Sequence, residues 1–356
     1  MTAAELLRAT AGLPSPALIV DRAAADRNIE RAAGWSAAGD QRLRPHFKAH
    51  KCTRLLRRQV DAGGCSGVTC ATAAEAELLA DAGFEAVLVA NEVADPGGLA
   101  ALAGAAARTD VTVCVDNVRH VELLAGTGAA LAVLVELDVG QHRCGLAPGS
   151  PELLELARLV DAAPSLQLRG LQGYEGHAVL RPERAERAAA VAAAAEILRA
   201  ERERLEQAGL PCPVVSGGGT GTLDMAGAAG ALTEVQAGSY VLMDATYSRL
   251  GLPFEQALFC RTTVVSRGGE HLVLDAGFKA LSAEYGMPAA VEAGAEVTSL
   301  ADEHATITVA VGSALAVGDA TLLVPAHVDP TVNLHPTLFA VAPDGAVDAW
   351  PVDGRR

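Results

Sequence analysis

Residues 44–51 read Arg-Pro-His-Phe-Lys-Ala-His-Lys. The proline holds the residue before it extended, and a helix-forming run follows, so Lys48 is expected at the mouth of a strand rather than on a solvated face. A lysine amine held among neutral groups loses some of its basicity and becomes a nucleophile toward carbonyls. Other reactive types recur after later apolar runs: Asp116 and Asn117, then Asp138 with Arg143, then Tyr174 and His177. A further run leads into Ser216-Gly217-Gly218-Gly219-Thr220-Gly221-Thr222, and another into Gln236-Ala237-Gly238-Ser239-Tyr240. Glycines between a strand and a helix let backbone N–H groups approach an anion, and a histidine such as His177 is the side chain best suited to take a proton near neutral pH. Far downstream stand His327 and Asp329. On a strand, residues two apart share a side, and one nitrogen with one carboxylate oxygen suits Mn²⁺, Mg²⁺ or Zn²⁺. By spacing alone such a pair is more often a turn with a solvated histidine.

The elements that must position these groups are short apolar runs alternating with helical ones. The runs are residues 43–47, 67–71, 86–90, 111–115, 131–137, 168–174, 213–216 and 234–237. Helical patterns separate them, clearest over 72–82, where Thr72 and Glu75 suggest a capping box, and over 117–124 and 182–208. A doubly wound sheet would also alternate in this way, but eight roughly even units favour a closed (β/α)₈ TIM barrel, an α/β fold whose chemistry sits at the C-terminal ends of the strands. After about residue 247 the pattern becomes strand-length pieces joined by turns, at 258–265, 271–275, 296–300, 305–311, 321–325, 338–342 and 347–352. The expected organisation is a barrel over 22–247 and an antiparallel β domain from 1–21 and 248–356, the early strand near Leu18 pairing with the later ones.

Composition narrows the partners. The 356 residues are half apolar but only 3% aromatic, giving an aliphatic core, and carry 28 basic against 43 acidic groups, a net charge of −15. That charge opposes nucleic acid and anionic membrane, leaving small molecules or a second copy of the chain. Seven cysteines with no C-x-x-C spacing read as reduced thiols of a cytoplasmic protein. No signal segment and no uninterrupted membrane-length apolar stretch is evident.

Loops after the seventh and eighth barrel strands commonly hold a phosphate. A phosphate site there, an amine on the first strand and a basic residue on the fifth together suggest pyridoxal 5′-phosphate. The motif around Lys48 resembles the cofactor-lysine signature of the D-threonine aldolase and D-serine dehydratase group, within the alanine racemase-like fold type of pyridoxal phosphate enzymes. Further matches are Glu136-Leu-Asp138-Val-Gly-Gln-His-Arg143-Cys-Gly145, Leu171-Gln-Gly-Tyr174-Glu-Gly-His177, Val235-Gln236-Ala-Gly238-Ser239-Tyr240, Asp275-Ala-Gly-Phe-Lys279 and Pro325-Ala-His327-Val-Asp329. The resemblance covers nearly the whole chain.

It implies that Lys48 holds the cofactor covalently, that Arg143 faces its phenolic oxygen, and that Thr220, Gly221, Gly238, Ser239 and Tyr240, in the setting of Tyr174, Ser216 and Gly219, hold its phosphate end. Gln236 takes the position opposite the pyridine nitrogen, where a neutral amide does not by itself favour a protonated ring. The resemblance also turns His327 and Asp329 into expected ligands of a divalent metal, Mn²⁺ foremost. The dehydratase branch typically carries His-x-Cys with zinc there, so Asp329 points to the aldolase branch. The implied activity is a lyase reaction, metal-assisted retro-aldol cleavage of a D-β-hydroxy-α-amino acid such as D-threonine to glycine and acetaldehyde, with His177 as the base. D-Serine dehydration and 3-hydroxy-D-aspartate cleavage are the near alternatives; an amino acid racemase and a non-catalytic pyridoxal phosphate-binding protein are more distant. A head-to-tail homodimer is the implied assembly.

Overall fold

The computed structural model describes residues 1–355. The chain forms two compact units, one of Ala32–Lys48 and Leu56–Gly238, the other of Met1–Arg31, Ala49–Leu55 and the chain from Ser239 on.

The first unit is the barrel. Its strands are Arg42–Leu43, Val68–Cys70, Ala86–Val89, Asp110–Val115, Leu131–Glu136, Leu166–Gly173, Val214–Gly217 and Glu234–Val235, all paired in parallel, the second to the eighth in chain order and the eighth with the first. Bridges Leu43↔Cys65 and His46↔Thr69 close the remaining seam. All eight apolar runs read from the sequence are therefore strands. Leu88, Cys114 and Leu134 pack together with no more than 1% exposure; burying each leucine contributes roughly 1.5–3 kcal/mol.

The first strand is shorter than its apolar run because Pro45 has no N–H to give, yet its lacing continues past Leu43. Arg44 and His46 donate to the carbonyls of Val235 and Ala237 at 2.8 and 3.1 Å, while Pro45 accepts from Thr69 on the other flank at 2.9 Å. Between the fifth and sixth strands the register slips at Val133/Leu134. Gly170 sits at the slip with φ +138°, where a Cβ would meet the Val214 carbonyl oxygen at 2.0 Å, so no other residue fits.

The helices begin where side chains cap them. Thr72 accepts from the Glu75 N–H at 3.2 Å to start Ala73–Asp81. The Glu75 carboxylate reaches the N–H of Ala71 at 2.8 Å instead of that of Thr72, so the expected capping box is displaced by one residue. Asn117 caps Val118–Gly126, and the Ala-rich stretch forms Arg184–Gln207.

In the second unit Ala17–Asp21 lies between Leu258–Gly268, antiparallel to it, and Thr337–Val341, parallel to it. All five of its residues are buried, as a strand paired on both edges and covered on both faces should be. His271–Leu274, Glu296–Leu300, Ala305–Thr308, Ala320–Val324 and Val347–Pro351 complete the expected strands. The sequence reading missed the pair Ala289–Ala290, too short for a periodic signal, and the helix Ala3–Ala9, whose capping box joins Thr2 and Glu5. Among the described residues no helix is long and apolar enough to cross a membrane.

Candidate functional site

Of the residues singled out in the sequence, the barrel unit holds Lys48, Arg143, Tyr174, His177, Ser216, Gly219, Thr220, Gly221, Gln236 and Gly238. The other unit holds Ser239, Tyr240, His327 and Asp329.

Lys48 occupies the single 3₁₀ turn Phe47–Ala49, just past the first strand. Leu43 to Phe47, Ala49 and His50 are all buried, and Lys48 alone in that stretch is half-exposed. Its N–H donates to His46 Nδ1 at 3.4 Å, so His46 helps hold the turn. Among the described residues no carboxylate pairs with its ammonium group.

At the ends of the fifth and sixth strands, Arg143 lies 5.7 Å over the Tyr174 ring and 3.8 Å from Glu136 Oε1. Asp138 shapes the intervening loop, accepting on Oδ1 from the N–H groups of Gly140 and His142, each at 2.9 Å. Burial pushes the Asp138 carboxyl up, but those N–H groups and the His142 ring outweigh it and hold the pKa below the usual range. Gly140, at φ +115°, lies against His177, where a Cβ would come within 2.8 Å of the imidazole Cε1. His177 Nδ1 is buried and makes no hydrogen bond among the described residues. A buried polar atom in that state is costly.

The glycine loop is tied down by a residue the sequence reading did not single out. Glu175, 3% exposed, accepts from Gly218 N–H at 3.1 Å and from Thr222 Oγ1 at 2.7 Å. Gly221 passes so close to Val179 that a Cβ would lie 2.0 Å from its carbonyl oxygen. Across the barrel ends, Gln172 Nε2 donates to Glu136 Oε2 at 2.6 Å, and Gln236 Nε2 donates to Gln172 Oε1 and Ser216 Oγ, both at 2.8 Å. Burial and then the charge of Glu92 push the Glu136 carboxyl up to about 7. Glu136 and Gln172 were also passed over; the signal that could have found them is a polar side chain at the C-terminal end of an otherwise apolar barrel strand.

One more cluster was missed. Glu92, Asp116 and Cys144 each bring one potential ligand atom within 4.8 Å of the others. Asp116 Oδ2 already accepts from Gly145 N–H at 3.0 Å, and Cys144 is pushed up to about 11, by burial first and then by Glu92.

In the second unit the pair expected on a strand is at a helix start. His327 precedes the helix Val328–Asn333, and Asp329 lies in its first turn. The two still face one another, Nε2 to Oδ2 at 3.5 Å, because an extended residue leading into a helix turns its side chain back over the first turn. His327 Nδ1 pairs with Glu284 Oε2 at 2.8 Å, and Tyr285 lies beside the ring at 4.4 Å. Ser239 Oγ donates to Asp329 Oδ2 at 3.3 Å. Burial opposes a charge on His327, but Asp329 and Glu284 outweigh it and hold its pKa above the ordinary imidazole value. Asp244 underpins this corner, accepting from Val328 N–H at 3.0 Å on Oδ2 and from Thr246 and Tyr247 N–H on Oδ1; burial pushes its carboxyl up to about 6. His335 is buried and donates from Nε2 to the Ala280 carbonyl at 2.8 Å, which gives it a structural role.

Known proteins share both units. Residues 20–246 match the alanine racemase N-terminal domain and residues 257–341 the putative serine dehydratase domain. The D-threonine aldolase of an Arthrobacter species is 37% identical, over 97% of this chain and 93% of its own. The 3-hydroxy-D-aspartate aldolase of Paracoccus denitrificans is 35% identical, over 96% and 92%. The crystal structure of D-threonine aldolase from Filomicrobium marinum superposes with a TM-score of 0.93 at 38% identity, covering 96% of this chain and 95% of that one. The chain therefore belongs to the D-threonine aldolase family of lyases, built on the alanine racemase-like barrel and a serine dehydratase-type β domain.

Proposed function

We propose that this protein cleaves D-β-hydroxy-α-amino acids, D-threonine among them, to glycine and an aldehyde, using pyridoxal 5′-phosphate and a divalent cation, Mn²⁺ foremost. The observation that carries the reading is Asp329: in a chain that resembles aldolases over its whole length, a carboxylate and not a thiol stands 3.5 Å from His327 Nε2.

The barrel residues fit the cofactor. Among the described residues Lys48 offers an amine that no carboxylate pairs with, and His177 Nδ1 has no hydrogen-bond partner. Lys48 would hold the aldehyde carbon, with Arg143 and Tyr174 toward the phenolic oxygen. Ser216, Gly219, Thr220, Gly221, Gly238, Ser239 and Tyr240 would lie toward the phosphate, and Gln236 toward the ring nitrogen. Bound there, pyridoxal phosphate supplies an aldehyde for the substrate amine and a ring that delocalises the electrons of a breaking Cα–Cβ bond. His327 Nε2 and Asp329 Oδ2 form a mixed nitrogen–oxygen donor pair for a cation that lowers the pKa of a β-hydroxyl. His177 takes the hydroxyl proton as the aldehyde leaves, its ring kept in place by the close approach of Gly140. Glu175, by fixing the glycine loop, keeps the phosphate end from shifting.

Seven cysteines that form no disulfide among the described residues fit a reducing compartment such as the cytoplasm, and a head-to-tail homodimer is the assembly we expect. The test is product analysis: purified protein with pyridoxal phosphate is given D-threonine and D-serine, with and without chelator and added Mn²⁺. Glycine and acetaldehyde formed only with metal support the reading; ammonia and a keto acid would show a dehydratase, and activity indifferent to chelator would remove the role of His327 and Asp329.

A further inference from the structure

The amide of Gln236 is not indifferent to the ring nitrogen that the proposed function sets against it. An amide nitrogen carries two N–H bonds, and Gln236 directs both inward, to Gln172 Oε1 and to Ser216 Oγ, each at 2.8 Å. What it has left to offer a ligand is its carbonyl oxygen, an acceptor. Its orientation is set from behind. Gln172 turns its own N–H to Glu136 Oε2 at 2.6 Å, so its oxygen must face Gln236. An ionised carboxylate can only accept, and a charged acceptor outweighs a neutral one. All four side chains are buried, at 3% exposure for Glu136, 1% for Gln172, 7% for Gln236 and none for Ser216, so water does not offer an easy substitute.

We propose that Glu136 is a positioning residue which, through Gln172, locks Gln236 with its oxygen outward and thereby makes the bound pyridoxal ring carry a proton on its nitrogen. The inference rests on the reading that Gln236 faces that nitrogen. It assigns the barrel a stronger electron sink than a neutral amide suggests from sequence alone, because a protonated ring draws the carbanion's electrons better than a neutral one.

The device has a direction in pH. With Glu136 protonated, its O–H can donate to Gln172, both amides can reverse, and Gln236 then presents an N–H that suits an unprotonated ring. Raising the pH ionises Glu136 and favours a proton on the ring, the reverse of a free pyridine. The groups that act on Glu136 are Glu92 from the third strand's end, which opposes its ionisation, and Gln172, Arg143 and the Cys114 thiol, which favour it; Cys144 lies within the same field. Burial together with Glu92 places this titration near neutrality.

The experiment reconstitutes the full-length protein with ring-¹⁵N pyridoxal phosphate and reads the nitrogen shift by NMR, which separates protonated from neutral pyridine without turnover. The wild type at about pH 8 should show a protonated ring, Glu136→Gln a neutral one, and Glu136→Gln with Gln236→Glu a protonated ring again, since a carboxylate at position 236 needs no relay. A Glu136→Gln shift equal to wild type, or a neutral ring in the wild type at about pH 8, overturns the relay. Gln236→Leu separates the two levels: if it too leaves the shift unchanged, Gln236 does not face the ring and the underlying reading fails as well; if it moves the shift while Glu136→Gln does not, only the relay is lost.

Discussion

The two units solve the problem of placing polar chemistry in opposite ways. In the barrel, side chains at the ends of parallel strands are tied together by neutral amides and hydroxyls, Gln172, Gln236 and Ser216, with one raised carboxyl behind them. In the β unit, three carboxylates, Glu284, Asp329 and Asp244, gather around His327 at a strand-to-helix corner and favour a charge on its ring. A neutral network fixes orientation; a charged cluster fixes a local field. The first suits a ligand whose ring must be aimed, the second a cation whose charge must be balanced.

Their lysines give the sharpest contrast. Lys48→Ala should reduce activity to that of free pyridoxal phosphate and remove the absorbance of covalently held cofactor. Lys279→Ala should change neither, because Lys279 is exposed and pairs with Glu303 at 2.6 Å; equal losses would erase the distinction drawn between the units. Next in size, His177→Asn should lower kcat by about 10²–10⁴-fold with KM little altered, as expected for loss of a general base; steady-state kinetics with D-threonine decide it. In the β unit, Asp329→Asn should weaken metal affinity by at least about 10-fold while leaving the cofactor spectrum intact, measured by metal titration of the pyridoxal phosphate-loaded protein.

The comparison also predicts a pH signature. Folded Glu136 keeps its proton up to about pH 7, whereas the unfolded chain releases it near the ordinary value of 4.5. Stability should therefore fall as pH rises through that window, by up to about 3 kcal/mol at about 1.36 kcal/mol per unit. Glu136→Gln should flatten the dependence, read from urea midpoints at about pH 5 and about pH 8. Smallest, Glu175→Gln should cost about 1–3 kcal/mol, because a buried acceptor facing Gly218 N–H and Thr222 Oγ1 is replaced by a group that satisfies only part of that pattern; thermal unfolding of the apo protein measures it.

Much of this was legible in the sequence because it is local. Apolar runs at even spacing announced the barrel strands, Thr72 and Asn117 announced their helices, and Lys48 stood out by its neighbours. What was not legible depends on distant partners. Glu175 follows Tyr174 like any loop carboxylate until Gly218 and Thr222 fold onto it. Gln172 and Glu136 are 36 residues apart and meet only when their strands pair in register. His327 and Asp329 were found, but on the wrong element: an i, i+2 pair shares a side of a strand, and only tertiary packing shows that a helix begins between them.

The lacing of the first barrel strand has a consequence for motion. The amides of Arg44 and His46 are bonded to Val235 and Ala237 on one flank, while Leu43 and Pro45 accept from Ser66 and Thr69 on the other. Backbone held on both sides exchanges its hydrogens with solvent only when the whole unit opens. Those two amides should thus be among the last in the chain to exchange, and their rate would act as an internal clock for global unfolding of the barrel. Lys48 stands two residues beyond that clock, so its amine moves by side-chain rotation on a nearly immobile anchor.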